Sequence, residues 1–311
     1  MKQKCKIVMY HYVRPIRNSR YSKIKGLEVD GFKRQIKYFK ERFNFVSVDQ
    51  ILNSIYNENP IPENSILLTF DDGFKDHYLH VFPILKQFNI SGLFFPAAKA
   101  IEEQSVLDVH KIHFILESCK NEQNIIKEIY DLVNQEKSSY ELESAESYFK
   151  RVAIPNKFDN KEIIFIKRML QKELPQKLRN YFVNYLFEKF VNNNEKSISS
   201  ELYLSLDEIN EMKNSGMNFG LHGYSHEWLN HLNENELEIE IHGCLEFNSK
   251  INGKEDPLLM CYPYGGYSDL VLLRLKRNNF KAAFTTDVGD AELSPSNAFL
   301  LKRYDTNDFP R

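Results

Sequence analysis

All 12 glycines of this chain fall outside residues 93–215, and that gap separates two kinds of sequence. Glycine supplies the left-handed turns and close backbone approaches that a loop-rich sheet uses. The stretch without any carries patterns such as Glu162-Ile163-Ile164-Phe165-Ile166-Lys167-Arg168-Met169-Leu170 and Tyr181-Phe182-Val183-Asn184-Tyr185-Leu186-Phe187. Few breakers and apolar residues at helical spacing predict a subdomain of several helices. Pro155 and Pro175 are expected at helix starts or boundaries, and Asn192-Asn193-Asn194 reads as a loop. The expected division is therefore residues 1–98 with 200–311 as one unit and residues 99–199 as an all-helical insertion. Such an insertion serves as a lid or specificity element, or as a dimerisation arm. His110 and His113, one turn apart near its start, either reach substrate or pack a helix face.

On both sides of the gap, strand-like and helix-like segments alternate. Residues 4–10 read as a first strand, and Asp30 as the cap of a helix carrying Phe32, Ile36, Phe39 and Phe43 on one side. Short strands follow at residues 45–48, 65–70 and 90–95, with helices at 49–57 and 78–88 between them. Beyond the gap, Ser205-Leu206-Asp207-Glu208 has the pattern of a capped helix start, and Gly216 marks the stop. Residues 217–221 form the next strand and residues 234–251 a longer helix. The strand ending at Cys261, a helix over 269–277 and a strand over 281–286 complete the pattern. Alternation of this kind implies a mostly parallel sheet with helices outside it.

Composition narrows the class. With 311 residues and 42% hydrophobic content, the chain can bury one large core, or a core plus a subdomain. Its 41 basic and 43 acidic side chains nearly cancel, so charge argues against nucleic acid or a membrane surface as partner. No apolar run approaches a membrane span. Met1-Lys2-Gln3-Lys4-Cys5 leads straight into a strand, without the apolar segment of a secretory signal. Cys5, Cys119, Cys244 and Cys261 have neither disulfide-framework nor zinc-ribbon spacing. The cytoplasm is the expected location.

The chemistry gathers at strand ends. Thr69-Phe70-Asp71-Asp72-Gly73 closes the apolar run Ile66-Leu67-Leu68, so two adjacent carboxylates stand where a strand gives way to a loop. In sheet-and-helix folds, that is where ligands bind. One carboxylate can hold a cation while its neighbour acts as base; a solvated Asp-Gly turn is the plain alternative. Far downstream, residues 217–221 run into His222-Gly223-Tyr224-Ser225-His226. Two imidazoles and a carboxylate are a common open-site arrangement for a catalytic divalent metal, whereas a lone His-x-x-x-His on a helix surface is more often incidental. A third strand ends in Cys261-Tyr262-Pro263-Tyr264-Gly265-Gly266, a loop that can bring backbone N–H groups and an aromatic wall to a substrate. It also reads as an ordinary strand-to-helix turn.

Together, Thr69-Phe70-Asp71-Asp72-Gly73, His222 to His226 and Pro263-Tyr264-Gly265 resemble, in the same order, the first three motifs of the polysaccharide deacetylase, or NodB-homology, family. The resemblance spans residues 1–98 and 200–308. It implies an α/β fold, a distorted (β/α) barrel that is commonly seven-stranded, carrying here an all-helical insertion. By this similarity Asp71 is the catalytic base and Asp72, His222 and His226 are the metal ligands. The Tyr264 backbone N–H, between Pro263 and Gly265, helps hold the oxyanion and substrate.

Two positions depart from the family. Many members begin the third motif with an Arg that orients the base, where this chain has Cys261. The late Leu-x-His motif that supplies the catalytic acid is missing, because no His follows His242. Val8-Met9-Tyr10-His11-Tyr12-Val13 instead places His11 at the end of the first strand. This resembles the circularly permuted branch of the family, which includes enzymes that de-N-acetylate poly-N-acetylglucosamine and take their acid His from an N-terminal strand. His11 is accordingly expected to protonate the leaving amine, with a packed strand-end histidine as the alternative. Phe299-Leu300-Leu301-Lys302-Arg303-Tyr304-Asp305 reads as a strand ending in charged residues. Arg303 is the candidate to orient Asp71, and Asp305 to support an imidazole; solvated strand-end charges are the other reading.

The resemblance thus implies a metal-dependent hydrolase that removes an N-acyl group, N-acetyl foremost, from an amino sugar or sugar-linked precursor. The two imidazoles favour Zn2+, and the carboxylate admits Co2+, Ni2+ or Fe2+. A cytoplasmic location points to a free or carrier-linked amino sugar as substrate, and a homo-oligomer is compatible with it. An N-deformylase or an amidase on a related small substrate would use the same atoms. Cys261 and the missing C-terminal His leave a catalytically inactive glycan-binding relative as the rival from another class. Retention of Asp71, Asp72, His222 and His226 argues against it.

Overall fold

A computed structural model describes residues 3–156, 159–191 and 194–310; Asn192 and Asn193 of the loop signal lie outside them. The chain divides into two compact units, one of Met1–Pro15, Lys25–Ser105 and Ser197–Arg311, the other of Ile16–Ile24 and Val106–Lys196.

The first unit holds β1 (Gln3–Tyr10), β2 (Asn44–Phe45), β3 (Ser65–Asp72), β4 (Gly92–Pro96), β5 (Asn218–Phe219), β6 (Leu259–Cys261), β7 (Ala282–Phe284), β8 (Ala291–Leu293) and β9 (Tyr304–Asp305). Every residue of β3 and β4 is buried, as befits parallel strands covered on both faces. β1 pairs in parallel with β3 from Cys5 opposite Ser65 to Tyr10 opposite Phe70. β3 pairs with β4, and β4 with β5, in the same sense. A parallel bridge from Leu221 to Met260 leads to β6, which pairs with β7. A second bridge, Phe284 to Leu301, reaches the segment that continues as β9, and β9 pairs in parallel with β1. The path of neighbours thus returns to its starting strand, and β8 joins the edge of β1 antiparallel. The mostly parallel α/β architecture is the one the alternation predicts.

Parallel pairing brings the carboxyl ends of the strands to one side, which is where the motif residues sit. Just beneath them, register stacks one ring per strand: Tyr10 on Phe70 at 5.1 Å, Phe70 on Phe94 at 4.7 Å and Phe94 on Phe219 at 5.4 Å. These are favourable aromatic spacings, and they lock four neighbouring strands together immediately below the strand tips.

Helix signals are local and reappear in the structure. The longer helix runs over Glu234–Ile251, and Ser205 with Glu208 forms a reciprocal capping box for Leu206–Asn214. Asp30 differs from expectation. It stands in the first turn of Val29–Arg42 behind Glu28, so its charge favours the helix N-terminus without capping it. The strand expected over residues 299–305 shrinks to the bridge at Leu301 and the two residues of β9. The Arg303 N–H between them donates to Asp287 in the loop after β7.

The second unit carries the helices Asp108–Ser118, Glu122–Glu136, Ala145–Val152, Lys161–Arg168 and Gln176–Phe190. Ile112, Ile129, Phe165, Phe182, Val183 and Leu186 are fully buried within it. Pro175 stands at the N-cap of Gln176–Phe190, whereas Pro155 lies in the segment between two helices. His110 is buried, its ring 5.8 Å from that of the half-buried His113. Among the described residues no helix is long and apolar enough to cross a membrane.

Candidate active site

Adjacent strand residues normally face opposite ways, so Asp71 and Asp72 reach one site only because the backbone turns there. Asp72 has φ +71° and Gly73 φ +68°. A Cβ on Gly73 would lie 2.6 Å from the Pro96 Cβ, so the turn against β4 requires glycine. A left-handed aspartate is a costly conformation, held in place by the surrounding fold.

Asp71 is buried and gripped by Arg303. The guanidinium donates through Nη1 to Oδ1 and through Nη2 to Oδ2, both at 2.8 Å. Its other N–H groups go to the Thr285 carbonyl at 2.9 Å, the Thr69 hydroxyl at 3.1 Å and the Cys261 sulfur at 3.0 Å. All five donors of this arginine are therefore used. Cys261 in turn directs its thiol to Asp71 Oδ2 at 3.4 Å. Burial pushes the Asp71 carboxyl up, but Arg303, with His222 and His11 adding, holds it at about 2. His11 stands at the exit of β1, partly exposed, with Nε2 3.9 Å from Asp71 Oδ2.

Asp72 faces the two imidazoles. Its Oδ1 lies 3.4 Å from His222 Nε2 and 3.3 Å from His226 Nε2, and all three side chains are buried. His222 Nδ1 is 2.9 Å from the Cys261 carbonyl. That bond fixes a proton on Nδ1 and leaves the Nε2 lone pair for a cation. Burial favours a neutral His222, but Cys261, Asp72 and Asp71 raise its affinity for positive charge. The candidate ligand atoms lie within 4.8 Å of one another, so this donor set fits a divalent ion. His226 is also left-handed, at φ +62°.

Pro263, Tyr264 and Gly265 form a short turn beyond β6 in which Tyr264 has φ +56°. The Tyr264 ring meets His226 edge-on at 4.7 Å and stacks on Trp228 at 4.7 Å. A Cβ on Gly265 would come within 2.1 Å of the Thr286 hydroxyl, so the turn cannot take a larger residue without moving its neighbour. Asp71, Asp72, His11, His222, His226, Arg303 and the Tyr264 turn are thus brought together.

Asp305 is not part of that group: its carboxylate accepts from the Asn307 backbone N–H at 2.8 Å and caps the turn that follows β9. Asp305 and Asp308 form a reciprocal capping box around that turn. One neighbour of the site left no trace in the motifs. His77 lies fully buried with Nε2 2.9 Å from the His11 carbonyl; only the folded path from β1 to the segment after Gly73 brings them together.

Comparison with known proteins bears on the family and the fold. A sequence model of the polysaccharide deacetylase family matches residues 58–138 and 176–283. A poly-β-1,6-N-acetyl-D-glucosamine N-deacetylase of Escherichia coli is 30% identical over 78 residues, which is 25% of this chain and only 12% of that protein. Among solved structures, the Streptococcus pyogenes deacetylase PplD in complex with acetate aligns with TM-score 0.61 at 18% identity, over 98% of this chain and 93% of that one. IcaB from Ammonifex degensii aligns with TM-score 0.58 at 17% identity, covering 98% and 93% of the two chains. At these identities the structures attest the fold.

Proposed function

The chain belongs to the polysaccharide deacetylase family, and from that premise we propose that it is a metal-dependent hydrolase removing N-acetyl groups from an amino-sugar polymer. The observation that carries the reading is the convergence of Asp72, His222 and His226 beside an Asp71 held ionised by Arg303.

Asp72, His222 and His226 would hold a divalent ion, zinc foremost, which would supply Lewis-acid polarisation and lower the pKa of water. Asp71 remains a carboxylate at neutral pH, and Oδ1 keeps lone-pair capacity beyond its Arg303 bond. It accepts the proton of the water that attacks the amide carbonyl. Arg303 and Cys261 fix the plane of that carboxylate, as the family's motif Arg does elsewhere. The Tyr264 N–H serves as a preorganised donor to the oxyanion, a contribution of roughly 3–4 kcal/mol. His11 delivers a proton to the departing nitrogen, because an amide nitrogen leaves as an amine and not as its anion. The products are a polymer bearing a free amine, and acetate.

The name of the Escherichia coli relative supports a polymer of N-acetylglucosamine over the free or carrier-linked sugar that a cytoplasmic location suggests. The decisive test supplies zinc-loaded protein with oligomers of N-acetylglucosamine and follows acetate and amine together. Expected are equal yields of both, loss on chelation and recovery on adding zinc. Asp71→Asn should retain zinc and lose turnover. Release of formate from N-formyl analogues with none of acetate from N-acetyl oligomers would overturn the acyl assignment. Glycan binding without release of either acid would overturn the hydrolase.

A further inference from the structure

The residues between the two candidate imidazole ligands are held by groups from two other parts of the chain. On one side, Glu240 of the helix Glu234–Ile251 is 7% exposed and turns its carboxylate into the loop. Oε2 accepts from the Tyr224 N–H at 2.9 Å and the Ser225 N–H at 3.1 Å. Oε1 accepts from the Ser225 N–H at 3.3 Å and from the Ser225 hydroxyl. On the other side, the Lys99 N–H donates to the Tyr224 carbonyl at 2.8 Å and the Ala98 N–H to the Gly223 carbonyl at 3.4 Å. The same helix makes room for the loop. A Cβ at Gly243 would stand 2.6 Å from the Tyr224 ring, although glycine inside a helix costs about 1 kcal/mol relative to alanine.

This grip matters because the loop is conformationally expensive. Gly223 has φ +71° and His226 φ +62°, and a non-glycine residue in that region persists only where its surroundings impose it. Backbone N–H groups donating to a buried carboxylate are among the stronger hydrogen bonds available. We infer that Glu240 is a positioning residue of the metal site, a clamp that sets the spacing of the His222 and His226 imidazoles before any ion arrives. The inference rests on the metal-binding reading above and extends it to a helix that carries no ligand. Its physical basis is preorganisation: a site whose ligands are fixed in advance loses less conformational freedom on binding.

The test is Glu240→Gln, which keeps the size of the side chain but presents an amide NH2 where the loop needs an acceptor. Zinc affinity of the metal-free protein is measured by competition with a chelating dye, and the absorption spectrum of the cobalt(II) form reports ligand geometry. Expected are a roughly 10–100-fold loss of zinc affinity and an altered cobalt spectrum. Ser225→Ala, which removes one bond of the clamp and leaves both backbone donors, should move both readouts less and in the same direction. It serves as the deciding variant should Glu240→Gln fail to fold. Unchanged affinity and spectrum in a folded variant overturn the clamp while leaving the metal site standing. Wild-type protein that takes up neither zinc nor cobalt overturns both.

Discussion

Replacing Arg303 with methionine tests how Asp71 is kept in place and ionised. Both side chains are 1% exposed, and their two bonds at 2.8 Å form a parallel fork. Methionine fills most of the volume but leaves a buried carboxylate without its counter-charge. Stranding one member of such a pair costs about 3–5 kcal/mol. Lysine should not rescue, because a point charge cannot reproduce the planar fork or the bonds to Thr285 and Cys261. Asp71→Asn alone strands the guanidinium and should also destabilise. The double variant buries no unpaired charge, so its loss should fall short of the sum of the two by at least about 2 kcal/mol. Urea unfolding of the metal-free proteins measures this without a contribution from bound ion.

The pH dependence carries an independent sign. In the wild type, Asp71 is held at about 2, below the usual 3.8. Its stabilisation is present above the ordinary carboxylate range and is lost as pH falls through 2, about 2 kcal/mol in all. Without Arg303, burial dominates and the carboxyl rises above its ordinary value, so Arg303→Met should gain from mild acid where the wild type does not. A loss below 1 kcal/mol on replacing Arg303, or strictly additive variants, would refute the buried-pair argument.

Further expectations follow from single residues. Asp72→Ala removes one of three candidate ligands, and zinc content measured by atomic absorption should fall to near zero while Asp71→Asn stays loaded. Burial lowers His77 from 6.5 to about 4, against the raising effect of its bond to the His11 carbonyl. The unfolded chain therefore takes up a proton that the folded one refuses between those values, and stability should decline by roughly 3 kcal/mol as pH drops across that window. His77→Phe should flatten that part of the urea-derived stability curve; an unchanged slope would exclude His77 as its source. Gly265→Ala, at φ +72° and against Thr286, should cost about 1–2 kcal/mol for the left-handed backbone alone and should lower kcat. Adding Thr286→Ala should recover part of the loss by removing the hydroxyl in the way.

The family and the site motifs were legible because their signals are contiguous. Asp71 and Asp72 close an apolar run, His222 and His226 follow another, and Ser205 with Glu208 writes its helix start within four residues. Such features depend on neighbours in the chain, whose geometry is set by backbone sterics and capping chemistry. Arg303 was only one of two readings of a charged strand end, and Asp305 from the same segment became a turn cap. Nothing in local pattern distinguishes the two, since both are charged residues near the end of one short strand.

By itself, then, the sequence determined which side chains are candidates for the chemistry, where helices start, and that those candidates gather at strand tips. Tertiary structure decided between the two readings of Arg303, which crosses 232 positions to grip Asp71, and it alone decided that Cys261 would join that grip and that Glu240 would hold the loop between His222 and His226. Those pairings depend on strand register and on which helix lies over which loop. Long-range hydrogen bonds between single residues have no period in the chain, so only the folded backbone decides them.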